Sequence, residues 1–168
     1  MEGTAPVSDV FGRIRDEVPA GELVPWPTEA PTLPEGAIFD VLGIRPTHLG
    51  RGTARAEMVI APQHLNQRGL LQGGVLVTLA DATAGWASYC LVPDGHAFTT
   101  LEMHTNLLGG ARLGDPLVAI ARTVHAGRRT AVLAVEVMQE AQGDRPPTDR
   151  RLTAMFTCTQ MILPPAGA

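Results

Sequence analysis

The chain has 168 residues, an ordinary size for one domain and enough to bury about two-thirds of the surface its unfolded form would expose. With 45% apolar and 18% charged residues, it falls outside the disordered class. The net charge is -4 and all 13 basic residues are arginine. This excludes a nucleic-acid binder built on a dense basic surface, and leaves a few Arg for bidentate contact with phosphate or carboxylate.

Residues 1–35 read as an N-terminal extension, without the basic start and apolar run of a signal peptide. Val7, Val10, Phe11, Ile14 and Val18 share one helical stripe, predicting a short amphipathic helix. Pro19, Pro25, Pro27, Pro31 and Pro34 then impose an extended strap that Trp26 could pin to the body; a loosely ordered tail fits the same residues. Residues 37–45 (AIFDVLGIR) are expected as a strand. Residues 52–61 are expected as a second, since Ala54, Ala56, Met58 and Ile60 alternate with Arg55 and Glu57. A loop over 62–72 leads to a helix over 73–92, stopped by Pro93, Asp94 and Gly95. Four strand-like runs follow, 97–108, 117–125, 129–139 and 152–163, separated by turn signals at Gly109-Gly110, Ala126-Gly127 and 143–147.

The helix is apolar nearly all round, so it must be buried on most sides. One sheet covers such a helix only by curling around it. The expected architecture is therefore α+β, a strongly curved antiparallel sheet wrapped on one long central helix. Residues 69–93 hold a single charge, Asp81, in 25 positions. Its central place, the scattered Gly, Thr and Gln, and the lack of a second such segment argue against a membrane span.

Asp81 is the sharpest feature. Its helix neighbours Val77, Thr78, Ala84 and Gly85 cannot neutralise it. It must meet a partner from another element or line a pocket. Gly73-Gly74 opens the helix, where the first N–H groups are free and the dipole is positive, a ready site for a developing oxyanion; a plain Gly-rich join reads equally well. Gly73 and Asp81 are eight residues apart, about 12 Å along a helix, so one small reaction centre does not touch both within a chain. If both act, Asp81 of one subunit faces Gly73 of another. Ala80, Ala84 and Gly85 are small enough to let two such helices approach. This predicts an obligate homodimer with two composite sites.

The stretch from His64 through Asn66, Gly69, Gln72, Gly73 and Gly74 to Asp81 resembles the hotdog-fold acyl-CoA thioesterases, in particular the phenylacetate-degradation (PaaI-like) group. Those proteins carry a loop Asn, a Gly three residues later, a His-Gly-Gly at the helix start and an acid eight residues past the first of that glycine pair. The likeness continues through Thr99–Met103, Arg112–Asp115 and His125–Arg129, and covers about residues 37–163 of a domain placed at 36–168. It implies that Asp81 attacks the thioester or activates water, and that the Gly73 N–H polarises the carbonyl. It implies that Asn66 orients the carbonyl or the water, that Thr100 positions water, and that the site is split between subunits of a dimer or a dimer of dimers. Gln72 replaces the family's His; it cannot exchange a proton as His does, but its amide can donate a hydrogen bond to the leaving sulfur. Arg128 and Arg129, after Gly127, lie where the family holds the coenzyme A nucleotide, whose phosphates suit Arg. Gly74 belongs with them, and a solvated strand edge is the plainer reading of the two arginines.

The implied reaction is hydrolysis of acyl-CoA to free acid and coenzyme A. It needs no bound cofactor, coenzyme A being part of the substrate, and no nucleic-acid or membrane partner. The five histidines show no ligand spacing, so no metal is assigned, and His64 reads as a loop brace. Cys90 and Cys158 are too few for a disulfide framework, and a cytoplasmic setting is the simplest expectation. Trp86, Tyr89 and Phe98 could shape an acyl pocket but read first as core, and with seven aromatics in the chain a mostly aliphatic pocket is plausible, leaving aryl, short-chain and medium-chain thioesters open. Two other readings stay open: a hotdog enoyl-CoA hydratase or dehydratase, and a non-catalytic acyl-CoA-binding hotdog protein.

Overall fold

The computed structural model describes residues 7–140 and 150–165; the turn expected at 143–147 lies outside them. In chain order the elements are α1 (Val7–Glu17), β1 (Val24–Pro25), α2 (Ile38–Val41), β2 (Arg45–Gly50), β3 (Thr53–Val59), a 3-10 turn (Pro62–His64), α3 (Gly73–Tyr89), β4 (Ala97–Leu107), β5 (Pro116–Ala126), β6 (Thr130–Gln139) and β7 (Arg151–Leu163). The seven strands form one antiparallel sheet in the order β1-β2-β3-β5-β6-β7-β4.

Helix α3 packs against β2 through β7, which a sheet achieves only by bending round it. Buried residues such as Leu76, Leu79, Ala82, Thr83 and Trp86 fall on different sides of α3. The buried hydroxyls of Thr83 and Ser88 donate to the carbonyls of Leu79 (2.6 Å) and Ala84 (3.0 Å), so neither is left unpaired. The facing strands supply their apolar rows: Ala54, Ala56 and Met58 of β3, Leu117, Ala119 and Ala121 of β5, Leu133, Val135 and Val137 of β6, and Ala154, Phe156 and Cys158 of β7. The expected helix and the four strands after it match the observed elements, within about three residues at each end. No helix of the described residues is long and apolar enough to cross a membrane.

The strand expected over 37–45 is not there. Those residues form the one-turn helix α2, and the strand starts at Arg45. The cause is local. Gly43 takes φ +62, and the Gly43 and Ile44 N–H groups donate to the carbonyls of Asp40 and Phe39. This left-handed C-terminal cap satisfies the helix end, and an apolar run alone does not reveal it. The Asp40 carboxylate also accepts the Gly36 N–H (3.1 Å) and pairs with Arg45 (2.9 Å).

The N-terminal segment packs on the body. Val10, Phe11 and Ile14 of α1 are buried in the same cluster as α3 and the sheet. The strap adds the two-residue β1 to β2, the Trp26 N–H donates to Thr47 O (2.8 Å), and a methyl group at Gly50 would collide with the Glu22 carbonyl. Arg15 ties α1 to the far end of α3: its Nη1 donates to Val92 O and to Asp94 Oδ1, both at 2.9 Å. Arg15→Ala leaves the Val92 carbonyl without that donor, and should lower stability by roughly 1–2 kcal/mol, read as a drop of a few degrees in the thermal unfolding midpoint.

Candidate active site

Asp81 sits midway along α3, half-buried, with no hydrogen bond or ion pair to any described residue. Burial raises its pKa above the ordinary carboxylate range. It lines a cavity of about 440 Å³. Thr100, on β4, lines the same cavity, and its hydroxyl has no partner among the described residues. A register shift in the pairing of β4 with β7 falls between Thr100 and Glu102, placing a bulge beside the cavity, as strands often do where a side chain must be aimed at a site.

The other walls are aromatic. Phe11, Trp26, Phe39, Trp86, Tyr89 and Phe98, six of the seven aromatic residues in the chain, line this cavity. They form a continuous belt. Phe98 meets Tyr89 (ring centroids 5.0 Å), Tyr89 stacks on Phe11 (5.1 Å), Phe11 meets Trp26 (6.2 Å), Trp26 meets Trp86 (6.0 Å) and Trp86 meets Phe39 (5.5 Å). This cavity is therefore largely aromatic, not aliphatic. The few aromatics are gathered in one place, and two of them come from the N-terminal segment.

A second group gathers at the start of α3. Gln72 is the N-cap residue, exposed, and its side chain makes no capping hydrogen bond. The Gly73 and Gly74 N–H groups have no acceptor among the described residues, as the first turn of a helix requires. Gly74 is open to solvent, while Leu107 lies over Gly73. Asn66 stands in the preceding loop. Its Oδ1 accepts the N–H groups of Arg68 (2.9 Å) and Leu70 (3.2 Å), which leaves its side-chain N–H₂ free among the described residues. Buried His64 braces the same loop: its Nδ1 accepts the Ala61 N–H at 2.9 Å and its carbonyl accepts the Gln72 N–H at 2.9 Å. Desolvation lowers its pKa, with the Leu42 backbone opposing, and favours the neutral ring.

The chain thus brings Asp81 and Thr100 to one cavity, and Asn66 together with Gln72, Gly73 and Gly74 at the start of α3, but holds the two groups about 12 Å apart along α3. Gly127, Arg128 and Arg129 occupy the β5–β6 hairpin. Thr130 faces Met161, and Met161 faces Thr99, so the hairpin tip lies at the same end of the sheet as Thr100. Both arginines are exposed and form no ion pair among the described residues. Cys90 and Cys158 are free and buried, their thiols pushed up to about 12 and about 11 mainly by burial, which makes them poor nucleophiles.

The sequence reading did not single out one buried polar residue of the cavity. Gln160, on β7, lines the cavity and is 2% exposed. The available signal was its position: it continues the inward row Ala154, Phe156, Cys158, where a polar residue is out of place.

Comparison with known proteins agrees with this architecture. The Thioesterase superfamily model matches residues 68–145. The 1,4-dihydroxy-2-naphthoyl-CoA hydrolase of Escherichia coli is 30% identical over 106 residues, 63% of this chain and 77% of that protein. Among solved structures, a conserved protein of Pseudomonas aeruginosa superposes with a TM-score of 0.65 at 31% identity, covering 76% of this chain and 94% of that one. A mutant of the phenylacetic acid degradation protein PaaI of Thermus thermophilus superposes with a TM-score of 0.64 at 29% identity, covering 73% and 96%. The chain belongs to the thioesterase superfamily. Within it, this is a hotdog-fold thioester hydrolase of the PaaI-like group.

Proposed function

We infer that the protein hydrolyses an acyl-coenzyme A thioester to the free acid and coenzyme A, at two sites built across a homodimer. The observation that carries this is the half-buried Asp81 carboxylate in a cavity that Thr100 also lines, both side chains without a hydrogen-bond partner among the described residues. Asp81 takes a proton from water, and the resulting hydroxide adds to the thioester carbon. The oxyanion that forms accepts the Gly73 N–H of the facing protomer, with the free Asn66 amide beside it. The C–S bond then breaks, the carbonyl reforms, and the proton passes to the thiolate sulfur, toward which Gln72 donates a hydrogen bond. Direct attack by the Asp81 carboxylate, followed by hydrolysis of the anhydride, uses the same groups. Arg128, Arg129, Gly127 and Gly74 receive the nucleotide end of coenzyme A, the arginines being unpaired and near the cavity's end of the sheet.

Two features support pairing of protomers. Strand β4 ends the sheet with one edge unpaired, and it exposes Leu101, Met103 and Leu107. The separation of Gly73 from Asp81 is bridged only if a second copy supplies one of them. The aromatic belt favours a planar aromatic acyl group, in keeping with the naphthoyl and phenylacetic acid names of two relatives. A panel of aryl, short-chain and medium-chain acyl-CoA thioesters, with released thiol followed by a thiol-reactive dye, tests the reading. Aryl thioesters should turn over with the highest kcat/KM, and tight binding without thiol release across the whole panel would leave only an acyl-CoA-binding protein.

A further inference from the structure

Gly85 stands one turn beyond Asp81 on α3 and lines the same cavity. Glycine weakens the interior of a helix, so its presence there needs a reason. Its backbone is helical, without the positive φ that favours glycine. Close packing does not demand it either: beyond its own stretch of helix, a methyl group at Gly85 would meet nothing within 4 Å among the described residues. Ala80 and Ala84 are buried in the core, whereas Gly85 is part-exposed on the cavity wall. The cavity supplies the reason. Asp81, Gly85 and Tyr89 follow one another at four-residue intervals, so they lie in one line along the helix face. The acid stands at one end of that line. The Tyr89 ring, stacked on Phe11, stands at the other, about 12 Å away along the axis. Gly85 puts no side chain into the space between them.

We propose that Gly85 determines acyl-group selectivity: the aryl part of the substrate lies over the Gly85 backbone, between the Asp81 carboxylate and the stacked rings of Tyr89 and Phe11. This rests on thioester hydrolysis at Asp81, as inferred above. Residues four apart on a helix have Cβ atoms about 5–6 Å from each other, so the room over Gly85 begins directly beside the carboxylate that serves the thioester carbon. A planar ring is thin enough to lie on bare backbone and wide enough to reach the aromatic wall. Any side chain at residue 85 takes that room first. A short acyl group such as acetyl does not extend over Gly85 and loses less.

Gly85→Ala and Gly85→Leu, assayed with benzoyl-CoA and acetyl-CoA, test the assignment. The ratio of kcat/KM for benzoyl-CoA over acetyl-CoA should fall about 10-fold with Ala and about 100-fold or more with Leu. The unfolding midpoint of Gly85→Ala should rise by a few degrees, because alanine is the better helix former and its methyl group has room. Selectivity and stability then move in opposite directions, which a packing role does not produce. An unchanged or higher ratio in Gly85→Ala overturns the proposal. So does a lower midpoint for Gly85→Ala, which would mean that protein already fills the space. If Gly85→Leu does not fold, Gly85→Ala decides alone. The hydrolytic reading fails separately, through a wild-type protein that releases no thiol from either thioester or an Asp81→Asn variant that stays active. Where no thiol is released, the ratio of dissociation constants for the same two thioesters, measured by calorimetry, replaces the kinetic ratio and decides on the same terms.

Discussion

Asp81→Asn should abolish thiol release, lowering kcat by about 10²- to 10⁴-fold, while the protein stays folded and melts no lower than the wild type. The asymmetry follows from the environment of the carboxylate. Desolvation raises its pKa, and no cation or hydrogen bond from the described residues offsets the cost of its charge. A folded-state pKa raised above the unfolded value means that the ionised form is penalised in the native state. The corresponding stability is present below the unfolded pKa and is lost as pH rises through the folded one. Asparagine removes that loss at neutral pH and removes the base with it. The same shift places the acid limb of the wild-type kcat/KM profile above the ordinary carboxylate pKa of about 3.9. A limb at or below that value would mean that another group carries the rate.

Gly73→Pro should cost about 10²- to 10³-fold in kcat, the expected loss for one oxyanion donor, again in a folded protein. Residue 73 is the first of α3, where proline is well tolerated. Gln72 before it already has the extended φ -72, ψ 124 that a following proline demands. The deleted N–H has no acceptor among the described residues. The Cβ meets only the end of the flexible Leu107 side chain. Mixing the two inactive variants then separates the architectures. If Asp81 of one protomer works with Gly73 of the other, each mixed dimer has one intact site and one doubly damaged site. Random reassortment from equal amounts should restore about a quarter of wild-type activity. A site contained in one chain would stay dead after mixing.

Periodicity made most of the frame legible. The inward rows of β3, β5, β6 and β7 and the all-round apolar α3 were visible as patterns, because long buried elements leave strong ones. The segment around Ile38–Val41 was not, because a helix of four residues is too short to show a period, and its capping glycine at residue 43 acts through backbone geometry. The single acid in α3 was legible as an anomaly, and its neighbour Thr100 could be named only through the resemblance. Gln160 escaped because one polar residue near a strand end reads as ordinary, although it continues the inward row of Ala154, Phe156 and Cys158. The rings of Phe11 and Trp26 were assigned to an appendage, and their contacts with Tyr89 and Trp86, far along the chain, are a property of the folded chain alone.

On the proposed reading, the acyl chamber is stitched from two stretches of polypeptide, with Phe11 and Trp26 from the N-terminal segment and Trp86, Tyr89 and Phe98 from α3 and β4. The proposed base and oxyanion donor both belong to the second stretch. Exchange of the leader sequence would therefore re-tailor which acids fit while leaving the bond-breaking apparatus unaltered, and selectivity and turnover can drift apart in descendants of this chain.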